Sequence, residues 1–379
     1  MTVPYFMAKH TIEKNDIAVF SSNYNLYGDM SWRVMETLRT MLDDKNGSRV
    51  EVYSVDEAFV DLQHIPQGSL HEYARHLKQT VEQWTGISVS IGVAPTKTLS
   101  KLANRLAKKN KHETGCVSVL ATGAEQIDAL KKTRVSSIWG VGRAYAEKLI
   151  NLGITSAWEL RNMPEEWAHK NMGGVVGVRL IRELNGIPSI DMVQPLENKK
   201  MIATTRMFGS PVADLNDIKE AVATYTSRAA EKLRRQHSAA KIVSVFIVPQ
   251  EDSHDVDFRH GPVISAHTIL PAATSFTHEL IKPALSMTEQ IYKKGKLYKK
   301  AGVMLSGLVP DHSIQANLFL SSPKNSSRKL MDMVDNVNFS MRDDVLKFAS
   351  SGTTRDWKMR QELRSKRYTT RWNELMEVR

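Results

Sequence analysis

Along residues 22–42, "SNYNLYGDMSWRVMETLRTML", apolar side chains recur at Leu26, Met30, Val34, Leu38 and Met41, the spacing of one helix face. The next segment, "VEVYSVDEAFVDL" at 50–62, changes period to two. Val50, Val52 and Ser54 fall on one face, and Glu51, Tyr53 and Val55 on the other. The run "AFVDL" resumes after Asp56 and Glu57 alone, which predicts a hairpin with a two-residue turn. A helix is predicted near 70–84, then a strand, "ISVSIGVAP", with Ile87, Val89, Ile91 and Val93 on one face. Pro95 opens the helix "TKTLSKLANRLAKKNK", whose apolar stripe is Leu99, Leu102, Ala103 and Leu106. Strands and helices therefore mix in an α/β or α+β pattern.

Residues 135–187 change to short helices. In "WGVGRAYAEKLINLGI", Gly140 and Gly142 precede a helix that should bury Ala146, Leu149 and Leu152 and end at Gly153. A polar linker, "SIDMVQPLENKK", follows. Then come strand "MIATTRMFG", helix 216–237, strand "KIVSVFIVP", strand "GPVISAHTIL", helix 274–294 and strand "KKAGVMLSGL". That order, β-α-β-β-α-β, predicts a compact sheet with helices on one face. A second linker leads to a basic tail, 324–379.

The acids at the predicted turn stand out. Two-residue turns favour Asn-Gly or Asp-Gly, which accept positive φ. Adjacent carboxylates at ~4 Å repel by roughly 4 kcal/mol at an effective dielectric of 20. A hard divalent cation would relieve that repulsion, and so would simple solvation. The helix after Pro95 carries Lys97, Lys101, Arg105 and Lys108 opposite its apolar stripe, with no acid between Lys97 and Lys111. Such a row suits phosphates, although a solvated face has the same composition. The Gly140–Gly142 turn resembles a helix-hairpin-helix, which can seat one phosphate at a helix N-terminus.

Composition narrows the partners. The 379 residues hold 52 Lys+Arg against 41 Asp+Glu, a net charge of +11, and the pI is about 9.5. That excess points to polyanions, nucleic acid before membrane. One cysteine, Cys116, excludes a disulfide framework and a multi-cysteine zinc site and suits a reducing cytoplasm. No apolar run reaches the ~18 residues that span a bilayer.

Taken together, "YSVDEAFVDL", "SIGVAPTKTLSKLAN", "WGVGRAYAEKLINLGI" and the β-α-β-β-α-β module resemble a Y-family translesion DNA polymerase. "SSNYNLYGDMS", "RSKRYTTRWNEL" and "YKKAGVMLSGL" resemble its UmuC-like branch. The likeness covers essentially the whole chain. It implies a multidomain α/β and α+β fold: the end of the fingers at 1–12, a palm at 13–134, a helix-hairpin-helix thumb at 135–190, a linker at 191–199, a little-finger domain at 200–309, a second linker at 310–323 and a UmuC-type C-terminal region at 324–379. It implies error-prone synthesis past lesions by two-metal nucleotidyl transfer, with two Mg²⁺ ions and deoxynucleoside triphosphates.

By this resemblance Asp56 and Glu57 are the catalytic, metal-ligating acids, and Lys108 contacts the triphosphate. DNA contacts fall to Lys97, Lys101, Arg105, Gly140, Gly142, Arg206 and Lys241, and Asp61 is structural. Gln315, Leu318 and Phe319 in "SIQANLFLSS" resemble peptides that dock on the bacterial sliding clamp. The other implied partners are primer–template DNA, including damaged template, a UmuD′-like dimer and a RecA filament, with no membrane. The resemblance also carries an expectation about the N-terminus. Family members begin with a strand bearing another metal-ligating aspartate, and "MTVPYFMAK" matches the end of the fingers. On that reading about fifty residues are wanting, the palm sheet has an open edge, and primer extension is feeble. The alternative is a non-catalytic remnant that binds DNA and the clamp.

Overall fold

The computed structural model describes residues 3, 5–44, 49–193, 198–250, 262–314, 325–341 and 344–378. They form two units, Met1–Glu197 with Leu363–Arg379, and Asn198–Glu362. Among the described residues no helix is long and apolar enough to cross a membrane.

The first unit runs α1 (Tyr5–Lys14), α2 (Tyr24–Met41), β1 (Val50–Val52), β2 (Ala58–Val60), α3 (Leu70–Thr85), β3 (Ile91–Val93), α4 (Lys97–Lys109), α5 (Lys111–Thr114), β4 (Val117–Val119), α6 (Gly123–Lys131), α7 (Arg143–Asn151), α8 (Ala157–Arg161), α9 (Glu165–Asn171) and α10 (Val175–Leu184). Side-chain caps start several of these helices. Asn23 accepts from Leu26 N at α2, and Thr96 accepts from Leu99 N at α4. Thr122 with Glu125, and Ser156 with Glu159, form reciprocal capping boxes at α6 and α8. The stripe Leu99, Leu102 and Ala103 is buried as its spacing requires, in one core with Leu130, Leu149, Leu160 and Leu184.

Three local expectations are corrected. The hairpin pairs Val50 with Val60, Glu51 with Phe59 and Val52 with Ala58, so its loop is the five residues Tyr53–Glu57 rather than two. Asp-Glu does not suit the positive φ of a tight turn. The chain instead folds Tyr53 N and Ser54 N onto Glu57 O, both at 3.0 Å. The strand near 87–95 is paired only over Ile91–Val93, parallel to β4, and Ile87 is exposed while Val89 is half-buried. The amides of Ile87 and Val89 donate to the side chains of Thr85 and Glu82 instead. Leu152 is 53 % exposed. Gly153, at φ 81°, reverses the chain after α7, so Ile154 turns inward and its amide reaches Leu149 O at 2.9 Å.

β3 crosses α4 so closely that Gly92 has no space for a side chain. A Cβ there would lie 2.0 Å from Asn104 N. Gly92→Ala should therefore destabilise the first unit by about 3 kcal/mol, read as a lower urea midpoint at unchanged slope. An unchanged midpoint would show that the two backbones can separate without cost.

The second unit runs β5 (Ile202–Val212), α11 (Leu215–Arg235), β6 (Ser238–Pro249), β7 (Ile264–Thr274), α12 (Thr277–Ile291), β8 (Tyr298–Pro310) and α13 (Asn325–Met341). The antiparallel sheet has strand order β5-β8-β6-β7, the predicted β-α-β-β-α-β pattern. Val243, Val245, Ile247, Val303 and Leu305 pack on Ile218, Val222, Leu233, Leu280 and Met287 of the two helices. The sequence pattern and capping thus suffice for this unit's architecture.

Candidate active site

The β1–β2 loop presents Asp56 to solvent and leaves Glu57 half-buried. Asp56 Oδ1 accepts from Ser54 Oγ at 2.7 Å, and Asp56 N donates back to the same hydroxyl at 3.3 Å. Glu57 Oε1 accepts from Lys101 Nζ at 2.5 Å. The charge repulsion of the adjacent acids is thus relieved by one hydroxyl and one lysine of α4.

One helical turn earlier, Lys97 makes the corresponding contact with Glu51, but this pair is buried, with each side chain 8 % exposed. The Lys97 ammonium also donates to Asp191 O at 2.7 Å, and Val193 N donates to Glu51 Oε2 at 2.9 Å. Two ion pairs on one face of α4 therefore hold the hairpin, and the deeper one also fastens the chain leaving α10. Lys97 is an internal ion-pair partner and not a phosphate contact, and Lys101 is engaged by Glu57. The row of cations descends into the molecule at its N-terminal end. Arg105 and Lys108 alone remain exposed, with no ion pair among the described residues.

Three rings close the site. Tyr53, Phe59 and Trp139 have centroids 5.6–5.7 Å apart, and Trp139 Nε1 donates to Tyr53 Oη at 3.2 Å. Lys97 Nζ lies 5.0 Å from the Phe59 ring centre and Lys101 Nζ 5.6 Å from that of Tyr53. Glu183 adds a second buried acid, taking Thr98 N at 2.9 Å and Ser189 N at 2.8 Å. It binds the start of α4 to the end of α10. Sequence reasoning passed over Glu51, Tyr53, Phe59, Trp139 and Glu183. A usable signal was present for Glu51 alone, which alternates with apolar positions on a strand.

Each remaining predicted residue has its own local setting. Gly140, at φ 91°, needs to be glycine for its backbone. Gly142 caps α7 at φ −75°, and a Cβ there would meet nothing within 4 Å. Arg206 is on the helix-covered side of β5. Burial, together with the neighbouring Arg206, Lys199 and Arg228 cations, lowers the Lys232 ammonium below its usual range. Lys241 is exposed at the bulge between Ala240 and Ile242. Asp61 caps its own turn through Gln63 N at 2.9 Å, a structural role. Gln315, Leu318 and Phe319 lie outside the described residues.

Asp56 and Glu57 supply hard oxygen donors of the kind magnesium takes. Among the described residues no group of three or more His, Cys, Asp or Glu side chains converges as a metal site. The two acids fit a divalent ion in kind and would supply only part of a ligand set.

Comparison with known proteins places the chain. Residues 1–105 match the impB/mucB/samB family, residues 199–318 that family's C-terminal domain, and residues 328–378 DUF4113, a domain of unknown function. Protein UmuC of Salmonella typhimurium is 36 % identical over 378 residues, covering 99 % of this chain and 87 % of that protein. Protein ImpB of the same organism is 34 % identical with the same coverage. A DNA polymerase IV of Desulfatibacillum aliphaticivorans is 27 % identical over 286 residues, covering 74 % of this chain and 67 % of that protein. A Y-family DNA polymerase chimera of Dbh and Dpo4 shares the fold, with a TM-score of 0.59 at 21 % identity over 76 % of this chain and 77 % of that one. The chain belongs to the impB/mucB/samB family and is similar to UmuC along nearly its whole length.

Proposed function

We propose that this chain carries out template-directed synthesis across damaged DNA, with Asp56 and Glu57 as the acids that hold Mg²⁺. One observation carries the reading: in a member of this polymerase family, the two adjacent acids stand on an exposed loop that α4 grips through Lys101. A divalent ion bound there would offset the charge of a triphosphate and its leaving group. The chain's own residues fix the loop, through Glu51–Lys97 below and Tyr53–Trp139 beside it. Lys108, seven residues beyond Lys101 and so about 10 Å further along α4, would meet triphosphate oxygens. With Asp56, Glu57 would hold the ion, which would leave the Lys101 ammonium free. Single-nucleotide insertion opposite an abasic site, with Mg²⁺ and each deoxynucleoside triphosphate in turn, tests this. Insertion that persists in Asp56→Asn would remove these acids from the account.

The same reading assigns residues 13–134 to a palm, 135–190 to a helix-hairpin-helix thumb and 200–309 to a little-finger DNA-binding domain. Arg105, the Gly140–Gly142 turn and Lys241 contact phosphates. Lys101 would join them if an ion held Glu57. Binding dominated by phosphates is steep in salt. Arg105→Gln with Lys241→Gln should flatten the log–log salt slope of duplex binding by about 1–2 units. An unchanged slope would place the phosphate contacts elsewhere. By resemblance to the UmuC-like branch, the partners include a sliding clamp bound through Gln315, Leu318 and Phe319, a UmuD′-like dimer and a RecA filament. Calorimetric titration of a 313–322 peptide against a clamp tests the first of these.

A further inference from the structure

Residues 328–378, the region matching a domain of unknown function, are divided between the two units. Up to Glu362 the segment is part of the second unit. Arg234 grips Asp335 with two hydrogen bonds, at 2.6 and 2.7 Å. Asp344 sits between Arg228 at 2.8 Å and Arg355 at 3.1 Å. Trp357 is 4 % exposed and packs edge-on against Phe208 and Tyr225. Gly209 N donates to Trp357 O at 3.0 Å, and a Cβ on Gly209 would lie 2.4 Å from Lys358 O. The strap is therefore seated against β5 at backbone distance.

From Leu363 the segment is part of the first unit. Ser21 N donates to Leu363 O at 3.0 Å, and Ser21 and Arg364 form a parallel bridge. Asn23 is fully buried and divides its amide between two tasks. Its Oδ1 caps α2, while its Nδ2 reaches Ser365 O at 2.9 Å, Ser365 Oγ at 3.1 Å and Lys366 O at 3.3 Å. A buried side chain spent in this way marks a built anchorage, since its donors would otherwise go unpaired.

We infer that this region of unknown function is a second covalent tether that closes the two units into a ring. The first connection leaves its anchor at Val193, held by Glu51, and is next held at Lys199, whose carbonyl accepts from Gln236. The second runs from Lys358 to Leu363. Residues 359–362 between those anchors span about 17 Å at most when extended. A body on one short connection can swivel about every axis. A body on two separate connections loses part of that freedom. The tether thus narrows the orientations open to the second unit and reduces the ordering required when both units grip one duplex, a consequence that rests on the DNA reading above.

The test uses the full chain with a site-specific protease sequence inserted between Arg360 and Gln361 and cut after folding. Spin labels go on Cys116 in the first unit and on Ser265→Cys on exposed β7 in the second. Double electron–electron resonance then reads the spread of distances without DNA. A narrow distribution that at least doubles in width on cutting is the expected result. A width unchanged by cutting, or already broad in the uncut chain, overturns the tether. Because no DNA or nucleotide is present, this outcome is independent of whether the chain proves to be an active polymerase. Asn23→Ala, which removes the anchor without cutting the chain, should broaden the distribution in the same direction, and no broadening would count against the anchor.

Discussion

Lys97→Met should cost the first unit about 3–5 kcal/mol, because removing one member of a buried ion pair leaves the other charge uncompensated. Among the described residues, Glu51 would keep only the Val193 amide as a donor in a site that is 8 % exposed. The loss should appear in hydrogen exchange as faster opening of the β1 and β2 amides. It should also bring protease sensitivity to the chain around Asp191, since Lys97 holds that carbonyl. Glu51→Leu combined with Lys97→Met should recover much of the loss, as apolar replacements of buried pairs commonly do. A single-variant loss below about 1 kcal/mol would show that the pair is already solvated.

Asp56→Asn should lower metal affinity and nucleotide insertion by at least about 100-fold, the upper range seen even for groups that only support a metal ligand. The fold should be untouched. Asp56 is exposed, and asparagine retains an oxygen for Ser54. Stability should therefore shift by no more than about 0.5 kcal/mol. Manganese titration by electron paramagnetic resonance reads the affinity directly. Glu57→Gln should behave differently, because it also releases Lys101 from its ion pair. Duplex affinity at low salt should rise by a few-fold while metal binding falls. Equal manganese affinity in Asp56→Asn and the unaltered chain would dismiss this loop as the metal site.

The second unit was legible almost throughout. Its strands alternate, its helices carry wide apolar faces, and Asp214 caps α11 through Asn216 N and Asp217 N. Each of these features is local, so sequence order and pattern sufficed. The first unit was legible in α2, α3, α4 and the short helices after residue 135 and less so in its strands, while α1, α5, α6 and β4 were not predicted. β3 was predicted over nine residues and is paired over three, since alternation marks residues able to form a strand and says nothing of where a partner ends. Leu152 was predicted buried by spacing alone. The chain reversal at Gly153 gave its place to Ile154.

By itself the sequence determined the succession of elements, the family, and the acids Asp56 and Glu57 with the cations of α4 as the chemically notable groups. The tertiary structure alone decided which of those charges face solvent. Lys97, Lys101, Arg105 and Lys108 share one stripe and look equivalent in sequence. Packing the hairpin across the first turn of α4 buries Lys97 on Glu51 and pairs Lys101 with Glu57, leaving Arg105 and Lys108 exposed. Trp139 reaches Tyr53 from 86 positions away, and Asn23 anchors a strap 342 positions distant. Periodicity is written by neighbours three or four residues apart. Whether a charge is paired, buried or available depends on groups brought to it from elsewhere in the chain, and only the folded packing supplies them.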